Sequence, residues 1–156
     1  MSSFIQKVEP VLDPSVRALC AKAYDGHPKG CPNFRKRETC PPYAPLFEEV
    51  FNLSYPVYAI GEKFNLKAHE DKMRELHPEW SYRQLTCCLY WQGSVRKRLK
   101  EEIKKFQAER AGFICTDCPE ALGVNVTATL GSVGIKLEWP PTTYVVKVAF
   151  CGAPKG

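Results

Sequence analysis

The 156-residue chain has no apolar run of the ~18 residues that a membrane-spanning helix needs. Its opening, Met1-Ser2-Ser3-Phe4-Ile5-Gln6-Lys7-Val8-Glu9-Pro10, lacks a basic segment leading into an apolar one. No membrane association and no signal peptide are therefore expected, which predicts a cytoplasmic protein. Walker A, GxGxxG, HExxH and GxSxG patterns are all missing. The sequence signatures of P-loop, dinucleotide, zincin and α/β-hydrolase chemistry are thus absent. Internal repeats, heptads and low-complexity tracts do not occur either. What remains is ordinary globular text, 44% hydrophobic and 25% charged, long enough for one domain with a real core.

Cysteine is plentiful, with eight residues. In a secreted chain they would read as a disulfide framework. Without a signal peptide, a metal centre or reduced redox thiols gain weight over disulfides. Cys20, Cys31 and Cys40 crowd the first quarter, and Cys31-Pro32 and Cys40-Pro41-Pro42 place proline directly after two of them. Residues 24–45 are rich in turn formers and poor in apolar side chains, so burial alone cannot order them. A bound metal can, by substituting coordination for missing core energy. The tight Cys-x2–4-Cys pairs of structural zinc are absent here, whereas iron–sulfur ligands tolerate wider spacing and often precede proline. Gly30 lets the backbone turn sharply before Cys31.

The net charge of +5 is concentrated on the same segment. Residues 17–37 hold Arg17, Lys22, Lys29, Arg35, Lys36 and Arg37 against Asp25 alone, and the rest of the chain is balanced. Cations beside thiolates favour a net-negative cluster. They also attract a phosphate-bearing or other small anionic, nucleotide-like ligand. The plain alternative is a solvated basic face.

The remaining text predicts an α/β fold: a single compact mixed domain with a small sheet of three to five strands, one long central helix and a cysteine-rich irregular N-terminal loop. The division is a cysteine loop over 20–45, a helical region over 65–110 and a C-terminal α/β region over 113–151. Residues 1–13 read as a short leader. Asp13-Pro14 opens a short helix into Cys20, and residues 46–51 form an amphipathic turn. Val57–Ile60 reads as a buried strand. Asn65 caps a helix over about 66–76 that His77-Pro78 ends. Ser81 opens the longest helix, about 81–108, with Leu85, Cys88, Leu89, Val95, Leu99, Ile103 and Phe106 on its apolar stripe. Phe113–Cys115, Ile135–Trp139 and Tyr144–Phe150 read as strands, and residues 121–133 contain a further helix.

Other constellations are candidates of second rank. Cys115-Thr116-Asp117-Cys118-Pro119 is a Cys-x2-Cys pair that suits zinc or redox work, or lends one thiolate to the loop. Cys115 reads equally as a core residue at a strand end, and Cys151 as structural. Cys88 is a second candidate fourth ligand, with a small core residue as its plain reading. His27 within the loop, Glu120 after Cys118-Pro119, and Asn125 are candidate catalytic groups. Glu120 alternatively favours a helix dipole, and Asn125 with Thr127 and Thr129 reads as the lining of a polar pocket. His69 and His77 read as solvated. Arg96, Lys97, Arg98 and Lys100 beside Tyr90 and Trp91 mix cations with aromatics as nucleic-acid surfaces do, against the alternative of a solvated helix face.

His27-Pro28-Lys29-Gly30-Cys31-Pro32-Asn33-Phe34 with Cys40-Pro41-Pro42 resembles an uncharacterised family of predicted metal-binding proteins. Leu89-Tyr90-Trp91-Gln92-Gly93 and Pro119-Glu120-Ala121-Leu122-Gly123-Val124-Asn125-Val126 are similar to a short branch of it, as is Leu137-Glu138-Trp139-Pro140-Pro141. The resemblance spans about residues 20–150 and brings no biochemical function with it. It implies a metal, an iron–sulfur cluster, with Cys20, Cys31 and Cys40 as ligands. Where longer relatives carry further cysteines, this chain keeps Cys115 and Cys118. The resulting expectation is a [4Fe–4S] protein, with Cys118 or Cys88 as fourth ligand or an iron left open for sulfur-handling or nucleobase-modifying chemistry. The alternatives are an electron-transfer protein with a closed four-cysteine cluster, and a zinc- or cluster-stabilised module that binds nucleic acid or protein.

Overall fold

In the computed structural model, residues 2–21, 44–139 and 141–156 are described. The fold is mixed α/β. Four strands, β1 (Ser2–Val8), β2 (Val57–Phe64), β3 (Ile114–Thr116) and β4 (Val145–Gly152), form one antiparallel sheet in the order β1-β2-β4-β3. The α-helices are α1 (Phe47–Val50), α2 (Leu66–Leu76), α3 (Tyr82–Leu85), α4 (Gln92–Glu109) and α5 (Val126–Gly131). Three short 3₁₀ helices, Pro14–Ala21, Cys88–Tyr90 and Pro119–Leu122, join them.

Strand alternation sends the side chains of β2 and β4 to two different layers. Val57, Ala59, Val148 and Phe150 face a core built with Phe47, Phe51, Leu122, Val124 and Leu130. Ile60, Ala149 and Cys151 face the opposite way and pack with Leu99 and Phe106 of α4. A third cluster, Leu66, Trp91 and Val95 with Phe64 and Val145, closes the near end of the same layer. The long helix thus lies on one face of the sheet, and the short elements α1 and α5 on the other.

Several elements form where local chemistry demands them. Asn65 accepts the amide hydrogen bond of Ala68 and starts α2, and His77 caps its end. Tyr144–Phe150 is matched by β4, and Val57–Ile60 is the first half of a longer β2. Asp13 accepts from the Ser15 backbone and opens the 3₁₀ helix that reaches Cys20.

Two expectations are corrected and one is refined. Residues 2–8 are no leader: β1 pairs along β2 with Phe4 opposite Gly61, and the Phe4 ring lies across that glycine where a Cβ would collide. The long helix expected over 81–108 is present but bent, its α-helical pattern broken near the N-terminal end. Ser81 and Gln84 form a reciprocal capping box, but α3 ends at Leu85, and Cys87 has an extended ψ of 125°. Trp91 closes the break by donating its indole N–H to Thr86 O at 3.1 Å, and α4 starts afresh with its own buried stripe of Val95, Leu99 and Phe106. Residues 135–139 form no strand. Ile135 and Leu137 instead pack, partly buried, against the core as loop side chains.

Candidate functional site

The chain's entry into the cysteine loop is fixed against the Cys118 segment. The 3₁₀ helix Pro14–Ala21 packs on the 3₁₀ helix Pro119–Leu122. Asp13 N donates to Gly123 O at 2.7 Å, Asn125 N donates to Val11 O at 2.8 Å, and Leu12 bridges to Val124. Gly123 makes this approach feasible. Its φ of 82° ends the second 3₁₀ helix, and a Cβ there would stand 3.2 Å from Pro14 Cα. Cys20 lies in the last turn of the first helix, and Cys118 is the residue before the second. His27, Cys31 and Cys40 lie outside the described residues, and with them the ligand set expected of the loop.

Several ionisable side chains act on Lys147. Lys147 projects from β4 on the α4 side, where β3 is too short to cover it. Burial first, and then the neighbouring Arg96, hold its amine below the ordinary lysine value; Glu120, Cys118 and Cys88 act in the opposite direction. Glu120 is pushed above the ordinary carboxyl value by burial, with Lys147 as the opposing influence. Residues from β4, α4, the turn Cys88–Tyr90 and the segment 118–120 therefore share one electrostatic neighbourhood. Cys88 and Cys118 are both exposed within it. Cys88 is no core residue, because the helix break removes it from the apolar stripe. The arrangement offers sulfur donors, a carboxyl and two cations at one edge of the sheet. That combination suits an anionic, thiolate-bound group or a small anionic ligand.

The Cys-x2-Cys pair is divided between two roles. Cys115 is opposite Cys151 in the β3–β4 register, and the two form a disulfide. Cys115 is thereby unavailable as a ligand while the bond stands, which leaves Cys118 from that pair. Asn125 is committed to capping α5 through Ala128 N, and Thr129 Oγ1 links Val11 N to Asn125 O. Thr127 accepts from the Trp139 indole instead. These side chains support the fold, and they do not share one surface, because Thr129 is buried and Thr127 exposed. His69 is partly buried against Phe64; burial and Lys72 lower its pKa, which corrects its reading as solvated. His77 stacks on Trp80.

Two functional-looking residues had no signal in the sequence. Glu62 is fully buried on the α4 side of β2, accepts from the Ser3 hydroxyl, and meets Arg98 Nε at 3.6 Å. Its register partner is Lys147. A lone acid and a lone base in apolar strands acquire meaning only when β2 and β4 pair. Among the described residues, no three histidine, cysteine or carboxylate side chains converge to hold a metal ion, and no helix is long and apolar enough to cross a membrane. Comparison with protein-family models, with curated proteins and with solved structures gives no match for this chain.

Proposed function

We propose that the protein is an iron–sulfur protein in which Cys20, Cys31, Cys40 and Cys118 hold a [4Fe–4S] cluster. The observation that carries this reading is the packing of the 3₁₀ helix containing Cys20 on the 3₁₀ helix that Cys118 precedes. The element that leads into the cysteine loop therefore packs against the element that follows Cys118 in the chain. The donor chemistry fits as well. Cys118 is followed by Pro119, as Cys31 and Cys40 are followed by proline, and Arg96 and Lys147 supply positive charge next to a centre that would be net negative.

A fourth thiolate makes the centre closed, which favours electron transfer over open-iron catalysis on a nucleotide-like substrate. When bound, such a cluster supplies one-electron chemistry whose potential depends on nearby charge and exposure. Lys147 and Arg96 would stabilise the more negative, reduced state, and Glu120 would oppose them. Cys88 lies in the same neighbourhood, but on a turn that Cys87 separates from α3. It is the weaker candidate.

Anaerobic purification followed by iron, sulfide and zinc analysis tests the identity of the centre. About four iron and four sulfide per chain are expected. Zinc without sulfide would replace the cluster reading with a structural zinc site. Cys118→Ala is expected to lose iron or convert the cluster to a three-iron form, and Cys88→Ala to retain the full complement. Full retention in both variants would instead mean three protein ligands and an open iron.

A further inference from the structure

The segment between α2 and α4 carries an aromatic stack that the metal centre does not use. His77 lies on Trp80 with ring centroids 3.8 Å apart and planes within 6°, and Trp80 lies on Tyr90 at 5.4 Å and 26°. The three rings come from the cap of α2, the turn before α3 and the 3₁₀ turn before α4. Aromatic rings stacked for core packing are normally covered. Here Tyr90 is 55% exposed and the adjacent Leu89 is 86% exposed.

One turn beyond Tyr90, α4 borders a groove of about 450 Å³ lined by Gly93, Arg96, Lys97, Lys100, Glu101 and Lys104. Four cations face it against one carboxylate. Lys97, Lys100 and Lys104 recur at intervals of three and four, which puts them in a row along one side of the helix. The opposite side is held on the sheet by Val95, Leu99 and Phe106. The cationic row is therefore fixed in direction, and the helix that carries it begins two residues after Tyr90.

We propose that this face binds single-stranded nucleic acid, with phosphates along Lys97, Lys100 and Lys104 and a base stacked on Tyr90. A row of cations alone attracts any polyanion. An exposed aromatic ring at its end adds a contact that only a ligand with planar bases can use. Bases in a duplex are stacked on each other and cannot meet Tyr90, so a single strand is the better fit. The proposal is independent of the metal reading, because none of these side chains belongs to the proposed ligand set.

Fluorescence anisotropy with a labelled oligodeoxythymidine of about 12 nucleotides tests it. Binding should weaken with salt with a log–log slope of about −2 to −3, as expected for three or four neutralised phosphates on a single strand. The Lys97→Glu, Lys100→Glu, Lys104→Glu triple variant should abolish binding. Tyr90→Phe should keep wild-type affinity, whereas Tyr90→Leu, which keeps the apolar bulk and loses the ring, should weaken it about tenfold. Thermal melting of each variant separates lost contacts from lost folding. Three outcomes overturn the proposal: no salt-dependent binding at low ionic strength, full binding by the triple variant, or equal binding by Tyr90→Leu with equal competition from heparin. The last would mark a plain polyanion surface.

Discussion

On one side of the sheet, Ala59 and Phe150 pack with Phe47, Phe51, Val124 and Leu130 through hydrocarbon alone. On the other side the same two strands present Glu62 and Lys147, register partners, to α4. Period-2 alternation generates both layers from one pair of strands, so their difference reflects which residues occupy alternate positions. The first layer gains from burial at each contact. The second spends part of that gain on desolvating charge, and it is the side on which Lys147 feels the charges of Arg96 and Cys88. The buried charges thus lie on the α4 side of the sheet, while the segment after Cys118 joins the apolar side through Ala121 and Leu122.

The contrast is sharpest in how each layer should respond to truncation. Phe150 is fully buried, stands edge-on to Phe47 at 6.2 Å and is flanked by Ala59 across the ladder. Phe150→Ala should cost about 3–5 kcal/mol, since small neighbours such as Ala59 cannot close the cavity. Chemical denaturation measures this directly. A loss below about 1 kcal/mol would show that the apolar layer is not the stabilising one.

The polar layer should behave differently. Arg98→Ala leaves the buried Glu62 carboxylate with the Ser3 hydroxyl as its remaining named partner. Removing one member of a buried pair can cost about 3–5 kcal/mol, but Arg98 is half exposed, so about 1–2 kcal/mol is expected. Replacing both, Glu62→Leu with Arg98→Leu, should recover most of that loss, because no charge then remains to be desolvated. If the double variant is as unstable as the single one, the pair is a positive stabiliser and the contrast between the layers weakens.

The two layers were unequally legible in the sequence. Asn65, His77-Pro78 and the Val145–Gly152 run announce α2 and β4, because caps and β-branched runs act locally. β1 was hidden: its residues are mostly exposed, and it exists only because β2 offers an edge. The break at Cys87 was hidden too, since the apolar spacing runs almost unbroken across it and the Trp91–Thr86 hydrogen bond is a tertiary detail. At the site, Cys118 and Glu120 stood out as residue types. Their company could not be read, because Lys147, Arg96 and Cys88 arrive through strand register and helix packing. The disulfide likewise depends on Cys115 falling opposite Cys151, which a one-residue slip would abolish.

The smallest expected effect is the most specific to the polar layer. Burial holds the folded-state pKa of Lys147 below its unfolded value of about 10.5. Between those two values the unfolded chain binds more protons than the folded one, so stability rises with pH through that window. Glu120 behaves oppositely: its folded pKa is raised above 4.5, so stability rises as pH falls towards and below that folded value. Lys147→Met should therefore flatten the alkaline rise and stabilise the protein near neutral pH by less than about 1 kcal/mol, a modest figure because the amine is only partly buried. It should also remove the cation that opposes the raised pKa of Glu120, moving the acid-side gain in stability to higher pH. Denaturation midpoints from about pH 4 to pH 10, in wild type and variant, read both limbs at once. Unchanged limbs in the variant would mean that Lys147 is hydrated in solution, and that the charged side of the sheet is as free of desolvated amines as the apolar side.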